Sequence, residues 1–251
     1  MEPLKDAQSM KRIARPVSAR RRRRQGGQEI MEFGLVALLI YTPLLLGTFV
    51  VGMNLVKTIQ AKNTIRDMAD MYIHGTDFSD GGYQTLVKEL ATGLNLQSPV
   101  YAAGTQTRDD TGTSGDGIIW VSKVMYVGTG GGSNAGNFVW VQRVRIGNTN
   151  LISSQHASVL GDPTNIPSAD FLPDGTVDSS QVDYRNNAND QLGAAGEAAM
   201  IAQWITPLTP ASRTALVDGQ VIFMVEGYFQ TPQFGMGGNF TSNGVFARYF
   251  F

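Results

Sequence analysis

The chain has no cysteine. Disulfides, thiolate catalysis and cysteine-based zinc sites are therefore excluded. Histidine is almost as scarce. His74 and His156 stand in different segments and give no basis for a metal site or a nucleophile–histidine–acid triad, so both are expected to face solvent. Charged residues make up only 16% of the chain, and no part of it repeats another. The glycine-rich stretch 128–136 lacks the G-x-x-x-x-G-K-[ST] signature and leads into a strand-like segment rather than a helix, which argues against a phosphate loop. Asp109, Asp110 and Asp116 miss the spacing and closing glutamate of an EF-hand and read as a solvated loop. No catalytic constellation is present, no cofactor is implied, and an enzyme is not expected.

What the chain does have is length and asymmetry. Its 251 residues suffice for a real core, and 29 glycines with a Ser/Thr/Asn-rich second half suit short strands joined by polar turns. The net charge of −1 hides a basic head. Residues 1–27 hold nine Lys/Arg against Glu2 and Asp6, a balance of +7, and the remainder carries −8. The basic residues lie in a short leader without interleaved aromatics, so nucleic-acid binding is not expected.

Behind that head, Phe33 to Met53 is uncharged. At 1.5 Å per residue such a helix covers roughly 30 Å, one bilayer core. The arginines on its N-terminal side predict a cytoplasmic N-terminus and an exported body, and membrane lipid is an expected partner. The apolar run is too long for an ordinary secretory signal and no A-x-A-like site follows it. The residues after the arginines, Gln25-Gly26-Gly27-Gln28, lack the apolar positions of a twin-arginine signal.

Glu32 stands at the entrance to this run, although an acidic side chain in or beside a span is costly. A cut after Gly27 would make Gln28 the new N-terminus and Glu32 its fifth residue. Positions one and five share a helix face, and a new α-amine would supply a cation. In an assembled filament Glu32 could neutralise the terminal amine of a neighbouring subunit. A cut after Gly26 would put Glu32 sixth.

The stretch "GQEIMEFGLVALLIYTPLLLG" (27–47) resembles the N-terminus of the TadE/TadF-like pseudopilins of the Flp/Tad pilus system: a basic leader, glycine, four residues, glutamate, an aromatic, and a proline about ten residues on. The resemblance covers about residues 24–73, and a 27-residue leader and the additional acid Glu29 depart from the pattern. It implies that Gly27 and Gln28 flank a prepilin-peptidase site, that Glu32 is the assembly glutamate and that Phe33 fills the aromatic position. It also implies as partners the prepilin peptidase, other pilins or pseudopilins and an inner-membrane assembly platform. The implied location is the bacterial inner membrane as a single-pass protein, or a pilus. The alternative is an uncleaved, single-span anchored protein whose periplasmic domain binds a ligand.

Beyond the apolar run, Ile59, Ile65, Met68, Ala69, Tyr72 and Ile73 recur at helical spacing, and Gly75 is a stop signal. A helix over 28–74 would be roughly 70 Å long, with Pro43 and Gly47 allowing a kink or local melting. Further along, the pattern predicts a short helix over 83–94 and a hairpin of strands 117–127 and 137–146 with a long flexible tip. Residues 148–190 read as irregular, 188–205 as helical, and 219–232 and 244–251 as two more strands. Trp120, Trp140 and Trp204 read as core. The expected fold is α+β and pilin-like: leader 1–27, transmembrane/amphipathic helix 28–75, and an exported domain 76–251 built on a small antiparallel sheet.

Overall fold

The computed structural model describes residues 19–97, 115–130, 132–153, 156–180, 183–202, 216–230 and 244–251. Trp204, Asp109 and Asp110 lie outside these. The chain separates into two units, Met1–Gly52 and Met53–Phe251.

The first unit is helical. Helix α1 spans Ala19–Val36, a wide π-turn spans Ala37–Tyr41, and helix α2 begins at Thr42 and runs to Ile73. The helix thus starts nine residues before the expected Gln28, because Arg20–Arg24 are good helix formers. Melting at Pro43 does not occur; the chain answers the proline by widening the turn before it. Pro43 has no N–H to offer, and its ring would press on the carbonyl four residues back. In the π-turn the N–H of Thr42 reaches five residues back to the carbonyl of Ala37. Thr48 Oγ1 donates to the carbonyl of Leu45 at 2.9 Å, so its hydroxyl is satisfied within the apolar segment.

The second unit starts from the other end of α2. There Ala61, Ile65, Met68, Ala69 and Tyr72 form one buried stripe. The helix ends as the sequence predicts. Gly75 takes φ +85°, its N–H reaches Tyr72 O at 3.0 Å, and Thr76 N–H reaches Met71 O at 3.1 Å, the paired closure of a glycine C-cap. Helix α3 spans Gly81–Leu90, opened by Asp80, whose carboxylate accepts the N–H of Gly82 at 2.6 Å.

Four strands follow: β1 Gly117–Tyr126, β2 Phe138–Gly147, β3 Val221–Phe229 and β4 Val245–Phe250. They form one antiparallel sheet in the order β2-β1-β3-β4. The expected α+β layout, with a small antiparallel sheet and a long N-terminal helix, is therefore present. Ile119, Val121, Val144, Ile146 and Val225 pack against α2 and α3. At Gly227 in β3 a Cβ would run into the side chain of Ile65, so helix and sheet meet where there is no side chain.

A bulge in β2 changes which residues face the helix. Lys123 pairs with Gln142 but Val124 pairs with Trp140, leaving Val141 unmatched in the β1–β2 ladder. Its carbonyl instead accepts the N–H of Val177 at 2.8 Å. Gln142 thereby faces α2, accepting a 2.6 Å hydrogen bond from Tyr72 Oη, and Trp140 turns to the opposite face. That face is covered by long connections and one short helical segment: Val124, Phe138, Trp140, Ile222 and Met224 pack with Leu160, Ile166, Val177, Leu192 and Met200.

Two expectations need correction. The hairpin tip is tied down: Asn134 is fully buried, and its Nδ2 donates to the carbonyls of Tyr184 at 2.7 Å and Asn187 at 2.8 Å. The helix expected from 188 begins only at Ala194, with α4 spanning Ala194–Met200, and residues 203–205 of that expectation lie outside the described ones. Asn187 caps a separate short turn at Ala188–Asp190, and Gln191 bridges to Val139, which hold the preceding residues in other conformations.

Candidate functional site

Gly27 and Gln28 lie inside α1 and both are exposed. Nothing comes within 4 Å of a Cβ placed on Gly27, so packing does not require a glycine there. A glycine in a helix interior costs about 1 kcal/mol relative to alanine, and two in succession mark this turn as readily opened. Glu32 is also exposed, one turn beyond Gln28, and makes no ion pair among the described residues. Phe33 is 70% exposed, as are its apolar neighbours Ile30 and Met31 at 74% and 76%. The structure thus gathers Gly27, Gln28, Glu32 and Phe33 within two helical turns and places Pro43 apart from them, just past the π-turn.

The helix Gly27–Ile73 is long and apolar enough to cross a membrane, and its most apolar window is entirely unburied. Leu38, Leu39, Leu44, Leu45 and Phe49 are each more than half exposed. An apolar surface of that extent on every face of a helix requires lipid or protein cover.

A second constellation, missed in the sequence, lies on the connection-covered face of the sheet. Glu226 of β3 is fully buried. Its carboxylate accepts hydrogen bonds from Ser158 Oγ, from the N–H of Val159 at 3.1 Å and from Arg248 Nε at 2.9 Å. Arg143 of β2, 2% exposed, donates to Ser122 Oγ, to the carbonyl of Gly161 at 2.7 Å and to Asp162 Oδ1 at 3.2 Å. Its guanidinium also lies 5.3 Å from the centre of the Trp140 ring. Burial lowers the Arg143 pKa, and the nearby carboxylates of Asp162 and Glu226 act against that shift. The arrangement pins the segment around 158–162 to the sheet, because Ser158 and Val159 complete the bonding of Glu226 while Gly161 and Asp162 complete that of Arg143.

The acid Glu226 in an apolar strand was the available signal. Its cross-strand partner is Arg248, and Ser122 likewise pairs with Arg143, relations that depend on strand order and register.

The histidines differ from each other. His74 is exposed at the end of α2 and bonds through Nδ1 to the carbonyl of Asp70 at 2.7 Å. His156 is half-buried, stacked on Tyr228 with ring centres 4.1 Å apart, and its Nδ1 lies 3.1 Å from Ser153 Oγ; the expectation that it faces solvent freely is corrected. Asp116 is held by Asn95 Nδ2 at 2.9 Å. Among the described residues no group of three His, Asp or Glu side chains could hold a metal ion.

No family model, no curated protein and no solved structure matches this chain. Fold and site define a class by themselves: an α+β body preceded by one helix able to act as a membrane anchor or a signal sequence.

Proposed function

We propose that the protein is a minor pilin or pseudopilin contributing to assembly of a Tad-like pilus or secretion apparatus. In this reading it enters the bacterial inner membrane with its N-terminus in the cytoplasm and is trimmed by a prepilin peptidase between Gly27 and Gln28. The trimmed helix then anchors the chain or is drawn into a filament with other pilins on an inner-membrane platform. The observation that carries this reading is the division of labour along one helix: an apolar portion that is exposed among the described residues, and a distal portion buried on the chain's own sheet. Glu32 supports it, because an unpaired acid at the edge of an apolar surface needs a cation, and the amine of Gln28 created by trimming would be one turn away. The two glycines support it as well, since a backbone must leave the helix to be cut. Edman sequencing of protein extracted from native membranes tests the proposal. A start at Gln28 is expected; a start at Met1 supports the uncleaved anchored alternative instead.

A further inference from the structure

On the same sheet face as Glu226, next to the buried ion pair, lies a cleft of about 400 Å³. This falls within the range of small-molecule sites, about 300–1,000 Å³. His156, Ala157, Tyr228, Gly244, Phe246 and Arg248 are among the residues that line it. Strand register builds it: Tyr228 faces Phe246, and Glu226 faces Arg248, across β3 and β4. Gly244 keeps it open beside Tyr228, where a Cβ would strike the phenol ring.

Three features of this cleft point to one ligand chemistry. The first is a pair of buried donors without acceptors among the described residues: the Tyr228 hydroxyl, in the lining itself, whose oxygen takes the N–H of Gly244 but whose own proton has no acceptor, and, behind the lining, Trp120 Nε1, whose ring stacks on Phe246 at 6.3 Å. Tyr228 is 1% exposed and Trp120 fully buried, and a buried donor left unpaired is costly until something accepts from it. The second is Arg248. Among the described residues only its Nε is hydrogen-bonded, to Glu226, while the guanidinium lies 5.2 Å from the centre of the Phe246 ring. The remaining N–H groups of an arginine fork suit a carboxylate. The third is the ring surface of the stacked His156–Tyr228 pair and of Phe246, which is 36% exposed.

From a cation, an unpaired hydroxyl donor and aromatic walls we infer that this cleft binds a carboxylated sugar residue of the uronic acid type. The carboxylate would meet Arg248, a ring or hydroxyl oxygen would accept from Tyr228, and the sugar's C–H face would lie on the aromatic rings. The inference is independent of how the N-terminus is processed.

The test is isothermal titration of the full-length protein in detergent with D-glucuronate, with D-glucose as the uncharged control. Saturable binding of glucuronate is expected, with glucose at least about tenfold weaker, one decade in dissociation constant. Arg248→Gln should lose binding by a similar factor. Because that change also strips a partner from buried Glu226, Ala157→Leu serves as the second variant: it places bulk in the cleft wall, leaves the ion pair whole and should abolish binding. Absence of saturable glucuronate binding, equal binding of glucose, or unchanged binding in Ala157→Leu would each overturn the inference.

Discussion

Arg248 Nε sits 2.9 Å from Glu226 Oε1, across neighbouring strands, with the carboxylate fully removed from solvent. A buried charge is tolerated only while its partners stay, and removing one side of such a pair costs about 3–5 kcal/mol. Glu226→Ala, which strands Arg248, Ser158 Oγ and the N–H of Val159 together, should destabilise the second unit by that amount. Urea unfolding followed by tryptophan fluorescence measures it. A loss under about 1 kcal/mol, the scale of a surface pair, would show that the cluster does not hold the 158–162 segment in place.

Asp190 predicts an unusual pH dependence. Burial, with Asp170 and Asp183 nearby, pushes its pKa up to about 6. An unfolded aspartate titrates near 3.9. Between those values the folded chain holds a proton that the unfolded chain has released, so raising the pH from about 4 to 6 favours unfolding. Asp190→Asn keeps the shape without the charge. The variant should match the wild type near pH 4 and exceed it in melting temperature above pH 6. Parallel pH dependence of the two proteins would contradict this.

Gly227→Ala should cost about 1–3 kcal/mol, the usual range for overpacking, because the new methyl group meets Ile65. The paired change Gly227→Ala with Ile65→Val should recover part of the loss, which thermal melts of the single and double variants would show.

Glu32→Ala should leave membrane insertion intact, since it removes a cost rather than a support, while lowering recovery of the protein in assembled material. Fractionation of membranes and sheared filaments separates the two effects. Wild-type recovery in filaments would remove the role proposed for Glu32.

The elements were legible in the sequence where periodicity carried them. The stripe from Ile65 to Tyr72 and the stop at Gly75 gave the end of α2, and the β-rich runs gave all four strands. The π-turn at Ala37–Tyr41 was not legible, because Pro43 announces a disturbance without saying whether the helix bends, melts or widens. The tip around Asn134 read as mobile since its partners, Tyr184 and Asn187, are some fifty positions away. The Glu226–Arg143 cluster draws on five separate segments, and the bulge at Val141 reverses the facing of Trp140 relative to Gln142. Such a site exists only once register is set. Gly27, Gln28, Glu32 and Phe33 lie within two turns of one helix, a local spacing that the sequence alone displays.

In the proposed function, Gly27–Gln28 is cut to turn an apolar helix into an assembly element. Intact mass of the protein extracted from native membranes, compared between wild type and Gly27→Leu, decides whether this happens. Loss of residues 1–27 is expected in the wild type, and retention of the leader in Gly27→Leu. A wild-type chain beginning at Met1, or a leader still lost from Gly27→Leu, would contradict it.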